Sequence, residues 1–213
     1  MFHKEVKNRG FKMCFSSVVI AGGKSSRLMG MNKALLKIGG LTIIEKECFT
    51  LRSIFDEIII VSNRPDEFKV LDPEFKVYSD EAESRGPLAG IYTGLLKMKN
   101  EAGFFCACDM PFLNGELIKF MLSQNKGFDI VCPCTGGKYV EPLHAVYAKT
   151  CIEPIKSLMK KNEPVRVQDL FSMVKTRFID VGSVPCKMHD YDFFNINTWE
   201  SYMEAIRINE TLV

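Results

Sequence analysis

Four short segments of this 213-residue chain concentrate residue types suited to holding phosphate, a hard cation or a nucleobase. The first runs Ile20-Ala21-Gly22-Gly23-Lys24-Ser25-Ser26-Arg27, with Met29-Gly30 and Lys33 close behind. Paired glycines let the backbone approach a ligand closely and turn successive N–H groups toward phosphate oxygens. Lys24, Arg27 and Lys33 add three cations to the same loop, and Ser25 and Ser26 add hydroxyl donors, which in outline is a phosphate cradle. Its spacing is neither Gly-x-x-x-x-Gly-Lys-Ser/Thr nor Gly-x-Gly-x-x-Gly, so it is not one of the two commonest nucleotide fingerprints. A Gly-rich turn carrying solvated cations accounts equally for this loop taken alone.

The second segment, Phe104-Phe105-Cys106-Ala107-Cys108-Asp109-Met110-Pro111, ends an apolar run on a lone carboxylate just before a strand-stopping proline. Mg²⁺ takes one or two carboxylates and completes its shell with phosphate oxygens and water, so Asp109 is a candidate ligand; the structural alternative is an Asp capping the next turn. The third pairs Tyr78-Ser79-Asp80 with Gly86-Pro87-Leu88-Ala89-Gly90-Ile91. A carboxylate such as Asp80, or a row of backbone carbonyls, could accept from a nucleobase with adjacent N–H donors, as guanine has and adenine does not, although a turn role suits Asp80 as well. In the fourth, Asn195-Ile196-Asn197-Thr198-Trp199-Glu200, the spacing of Asn197 and Glu200 predicts an N-cap with its capping-box partner. His144 lies in the apolar stretch Pro142-Leu143-His144-Ala145, where a histidine is more often packed and hydrogen-bonded than catalytic.

Short β-branched runs alternating with helical-period segments position these residues, which predicts βαβ units and an α/β, Rossmann-like three-layer sandwich around a mainly parallel sheet. Strands are expected at Ser16–Ala21, Glu57–Ser62, Phe75–Ser79, Ala102–Cys108, Asp129–Cys132, Leu143–Ala148 and Thr176–Val181. Helices are expected at Thr42–Ile54, Leu88–Lys99, Gly115–Asn125, Cys151–Lys161, Val165–Met173 and Thr198–Ile208. Ligands of such sheets bind beyond the carboxyl ends of the strands, where strand order reverses, and the singled-out loops follow or face those ends.

Composition narrows the function classes. At 46% hydrophobic and 25% charged the chain is neither disordered, collagenous nor coiled coil. Twenty-eight Lys and Arg against 26 Asp and Glu leave a net charge of +2, which supplies no field for nucleic acid or an anionic membrane. No run of about 18 apolar residues is present, so no membrane span is expected and the cytoplasm is the simplest location. Residues 1–14 read as a polar extension with Met13 as an alternative start, and 15–213 as a single domain. The 8 cysteines raise a rival reading as a structural zinc or thiol-redox site. The spacings Cys106-x-Cys108 and Cys132-x-Cys134 do not match the usual zinc or redox patterns, and residues two apart in a strand share a face, which makes them core packing.

In this order the motifs resemble those of the molybdenum cofactor guanylyltransferases, within the nucleotidyltransferase superfamily. That family has Leu-Ala-Gly-Gly, then Arg/Lys-Ser-Ser-Arg-Met-Gly, then Asp-Lys-Ala-Leu-Leu; Asn32 here replaces the Asp ahead of Lys33, and Trp199 replaces a Pro after Asn-x-Asn-Thr. The resemblance spans about Ser16 to Ile208 and is weakest between Thr150 and Asp192. It implies the nucleotidyltransferase fold and transfer of GMP from GTP to molybdopterin-bound cofactor, with Mg²⁺ and release of pyrophosphate. It implies a catalytic set of Arg27, Lys33 and Asp109, with Asp109 on the metal. Nucleotide contacts fall on Ile20, Ala21, Gly22, Gly23, Lys33, Asp80, Gly86, Gly90 and Asp109, and the substrate side on Pro142, His144, Asn195 and Asn197. Proteins that deliver or receive the cofactor are the implied partners. A related transferase using CTP or a sugar phosphate shares the phosphate and metal motifs and stays open, because base choice rests on a few contacts.

Overall fold

Apolar runs too short for helices and apolar on both faces become the centre of an eight-stranded sheet. The computed structural model describes residues 14–22, 27–28, 30–69, 71, 75–80 and 86–212, with Arg27 described by its backbone alone. After β1 (Ser16–Ile20) come two small hairpins, β2 (Arg27–Leu28) with β3 (Met31–Asn32) and β4 (Lys37–Ile38) with β5 (Leu41–Thr42). Helix α1 (Ile43–Arg52), β6 (Ile58–Ser62), β7 (Lys76–Ser79), α2 (Pro87–Lys97) and β8 (Ala102–Ala107) follow. The remainder comprises α3 (Gly115–Ser123), β9 (Ile130–Thr135), β10 (Tyr139–Val140), β11 (His144–Ala148), α4 (Ile152–Met159), β12 (Thr176–Asp180) and α5 (Trp199–Thr211).

Strand order is β10-β9-β11-β8-β1-β6-β7, with β12 also paired to β9. The pairs β1·β6, β1·β8, β6·β7 and β9·β12 are parallel, whereas β11 runs antiparallel to β8 and β9, as β10 does to β9. The chain builds outward from β1 through β6 to β7, then returns to lay β8 on the other side of β1. That reversal is the switch point at which open α/β sheets form a crevice.

Alternation along the central strands divides the core into two layers, as the three-layer expectation requires. Val19, Ile60, Phe104 and Cys106 pack with Ile44, Cys48 and Leu51 of α1 and Leu117 and Met121 of α3. Val18, Ile59, Phe105 and Ala145 pack with Leu88, Ile91 and Leu95 of α2 and Ile155 and Leu158 of α4. A third cluster joins Ile38, Ile43, Phe112, Ile196 and Ala205, docking α5 on the small hairpins.

Three expectations change. Val165–Met173 is not an α-helix but a 3₁₀ helix over Val167–Ser172. Strand β9 continues beyond Cys132 to Thr135, because β12 and β10 pair with that extension. The cap of α5 is Thr198, in a capping box with Ser201, so Asn197 is not the cap. Among the described residues no helix is long and apolar enough to cross a membrane.

Helix α2 lies close to the sheet because glycine faces it. A Cβ on Gly90 would fall 2.8 Å from Ile20 Cγ2, and one on Gly94 would fall 2.6 Å from Phe105 Cε1 and 2.7 Å from Val18 Cγ1. Gly94→Ala is therefore expected to destabilise the fold by about 1–3 kcal/mol through overpacking, read as a lower urea midpoint at unchanged m-value. An unchanged midpoint would show that the helix can move away freely.

Candidate active site

A cleft of about 390 Å³ opens where β1 and β8 end, lined by Ile20, Gly22, Lys33, Asp109, Glu141 and Asn195 among others. Pairing continues just past the strands, since Cys108 N–H donates to Ile20 C=O at 3.1 Å and Ala107 N–H to Leu143 C=O at 3.0 Å. Asp109 is the next residue, and its C=O accepts Ile196 N–H at 2.9 Å. A turn that leaves a buried strand is thereby tied to the loop ahead of α5.

Lys33 opens a 3₁₀ turn that Asn32 caps, Asn32 Oδ1 accepting from Ala34 N–H at 3.1 Å. Asn32 Nδ2 also donates to Glu67 at 2.7 Å. An aspartate could not make that second bond, which gives the departure at position 32 a local physical basis. The Lys33 side chain is 3% exposed; its Nζ donates to Asn197 Oδ1 at 2.9 Å and lies 3.9 Å from Asp109 Oδ2. A buried ammonium so placed is preorganised for an anionic ligand.

Two further carboxyls, Glu141 and Glu47, feel the charge of Asp109. Burial raises Asp109 from its ordinary value, and Lys33 draws it partly back. Glu141 is raised by burial and then by the charge of Asp109. Glu47, fully buried in α1, is raised far more by burial, with Asp109 adding to the effect, while Met110 N–H, 3.1 Å from its Oε1, opposes it. Among the described residues no group of three or more His, Cys, Asp or Glu is arranged to hold a metal by itself. A cation at Asp109 would need further ligands, and phosphate oxygens with water are what Mg²⁺ ordinarily uses.

The remaining expected residues fall into distinct places. Ile20 and Ala21 are buried, their carbonyls engaged by Cys108 N–H and, at 3.0 Å, by the Ser62 hydroxyl. Gly22 lines the cleft, and a Cβ there would sit 3.3 Å from Asn63 N. Gly23, Lys24, Ser25, Ser26 and the Arg27 side chain lie outside the described residues. Asp80 follows β7, where its Oδ1 accepts from the Thr93 hydroxyl of α2 at 3.0 Å. Gly86, at φ 62° and ψ −150°, is the cap from which Pro87 starts α2. The close approach at Gly90 is made to Ile20 rather than into the cleft. Pro142 lines the cleft, its C=O held at 2.7 Å by the Tyr147 hydroxyl. Asn195 also lines it, and its Nδ2 donates to Phe193 C=O at 2.9 Å.

Sequence reasoning overlooked Glu47, Glu141 and Glu67. The available signal for Glu47 was a charged residue inside the apolar helical stripe of Ile43, Ile44, Cys48 and Leu51. The cysteine pairs are divided, with Cys106 and Cys108 in one layer and Cys132 in the other. Burial raises the Cys132 thiol to about 12, and those of Cys106 and Cys108 well above their ordinary value, so none is a thiolate near neutral pH.

His144 is packed as expected but lacks the expected hydrogen bonds. It is wholly buried between the rings of Phe104 and Phe193, with centroids 4.9 and 5.1 Å away, and among the described residues neither ring nitrogen has a partner. Burial lowers its pKa from 6.5 to about 3. Between those values the unfolded chain binds a proton that the folded chain does not, so stability falls as pH drops through that window. One such proton changes stability by up to about 1.4 kcal/mol per pH unit. His144→Phe should keep stability at pH 7 and lose less of it by pH 5 than the parent does, as measured by urea denaturation. Identical acid slopes would show that His144 does not titrate in this way.

Residues 17–175 match the MobA-like NTP transferase domain. A protein of Natranaerobius thermophilus named "Probable molybdenum cofactor guanylyltransferase" is 41% identical over 197 residues, covering 89% of this chain and 94% of its own length. One of the same name from Peptoclostridium acidaminophilum is 34% identical over 97% of this chain and 94% of its own length. Among solved structures, molybdopterin-guanine dinucleotide biosynthesis protein A from Archaeoglobus fulgidus superimposes with a TM-score of 0.77 at 22% identity, over 92% of this chain and all of that one. By domain match and by relatives aligned over nearly their full length, this chain belongs to the MobA-like NTP transferase family.

Proposed function

We propose that the protein transfers GMP from GTP to molybdopterin-bound molybdenum cofactor in an Mg²⁺-dependent reaction that releases pyrophosphate. The observation that carries this reading is the buried Lys33 ammonium, 3.9 Å from Asp109 at the floor of the β1–β8 cleft, in a chain whose relatives are named for that activity. The attacking group is a terminal phosphate oxygen of the pterin. It is already ionised near neutral pH, so the protein need supply only position and charge stabilisation. The sequestered, uncharged His144 accords with a reaction that requires no general base.

Each remaining role has a residue. Lys33 and the Gly22 backbone hold the triphosphate, and Arg27 stabilises charge on the departing pyrophosphate. Asp109, with Asn195 in the same cleft, would hold Mg²⁺, which when bound neutralises charge on the phosphate oxygens. Asn197 anchors the Lys33 ammonium by accepting from it at 2.9 Å. Asp80, braced by Thr93, accepts from the guanine edge, while Glu141 and Pro142 form the wall that faces the acceptor. The free cysteines suit a reducing compartment such as the cytoplasm.

Three experiments test this reading. With Mg²⁺ present, GTP should raise the melting temperature more than CTP or ATP does, and a preference for CTP would overturn the guanylyl assignment while leaving the fold intact. Asp109→Asn should remain folded yet lose about a hundredfold or more in turnover. Lys33→Met should weaken GTP binding about tenfold or more. Normal turnover in the first variant, or unchanged affinity in the second, would remove that residue from its role.

A further inference from the structure

Helix α1 buries Ile43, Ile44, Cys48 and Leu51 along one face, and Glu47 occupies the same stripe at 0% exposure. A carboxyl in that position is costly unless its interactions compensate, and an apolar residue would satisfy the helical pattern better. Its described polar contact is from Met110 N–H to Oε1 at 3.1 Å, while Oε2 has no partner among the described residues. The carboxyl therefore completes no extended internal network. It reaches 63 residues along the chain to a single peptide group.

That peptide group joins Asp109 to Met110. Its carbonyl accepts Ile196 N–H at 2.9 Å, and its N–H donates to Glu47, so one peptide plane is held at both ends by separate elements. Fixing this plane fixes the backbone torsion that sets the direction in which the Asp109 side chain leaves the chain. We propose that Glu47 is a positioning residue for the transfer reaction, holding the Asp109–Met110 peptide from behind so that the Asp109 carboxylate points at the cation. This rests on the reading of Asp109 as the cation ligand. Outer partners of metal ligands act in this way, and losing them ordinarily weakens metal affinity about 10–100-fold.

The test uses the full chain with Mn²⁺ as probe, its free concentration followed by electron paramagnetic resonance in the presence of GTP. Glu47→Gln keeps an acceptor of the same reach, whereas Glu47→Met and Glu47→Val remove it and suit the apolar stripe. E47Q should bind Mn²⁺ within about threefold of the parent, and E47M and E47V about tenfold or more weakly. Urea stability of the apolar variants should equal or exceed that of the parent, and their affinity for GTP in EDTA should be unchanged. Parent-like Mn²⁺ affinity in E47M, equal losses in E47Q and E47M, or unfolding of both apolar variants would each overturn the proposal. Absence of Mn²⁺ binding in the parent would instead overturn the reading of Asp109, and the positioning role with it.

Discussion

Parallel pairing of β1 with β8 determines where the candidate site lies in this molecule. The register sets Ile20 against Ala107, so Ala21-Gly22 and Cys108-Asp109 leave the sheet side by side and at the same level. Had the two strands run antiparallel, the glycine turn and the carboxylate would emerge at opposite ends of the sheet. Because β6 occupies the other side of β1, the chain has to reverse direction across the sheet to place β8, and the crevice is the geometric result. Lys33, Glu141 and the Asn195–Asn197 segment are then brought to that point by three separate excursions of the chain.

Electrostatics at the crevice depend on burial more than on ion-pair geometry. Lys69 and Asp66 make a shorter contact of 2.7 Å, but at 77% and 83% exposure solvent screens it to less than about 1 kcal/mol. Lys33 and Asp109 are farther apart, at 3.9 Å, yet their side chains are only 3% and 22% exposed. At an effective dielectric of about 20 the attraction is roughly 4 kcal/mol before desolvation is subtracted. Burial raises Asp109, Glu141 and Glu47 in the same place, and the charge of Asp109 adds to the last two. The chain's net charge of +2 contributes little to this.

Legibility in the sequence followed the range of the deciding interaction. The central strands were readable because both of their faces are buried, and Asp109 because an apolar run stops there before Pro111. The hairpins between Arg27 and Thr42 were not, since two-residue strands carry no period. Asn197 and Thr198 each satisfy the local rule for a cap, and the outcome depends on Lys33, 164 residues away, engaging Asn197 and leaving the cap to Thr198. Gly90 suggested approach to a ligand, but its constraint is the Ile20 side chain across the layer. Glu47 acquires meaning only through Met110, which no local pattern joins to it.

The proposed reaction requires the nucleotide to lie across the ends of β1 and β8 with its metal on Asp109. Anomalous diffraction from crystals grown with GTP and Mn²⁺ locates both directly. A manganese peak in contact with the Asp109 carboxylate, with the triphosphate along Gly22 and Lys33, is the predicted result. Manganese bound away from Asp109, or a nucleotide outside this cleft, would contradict it.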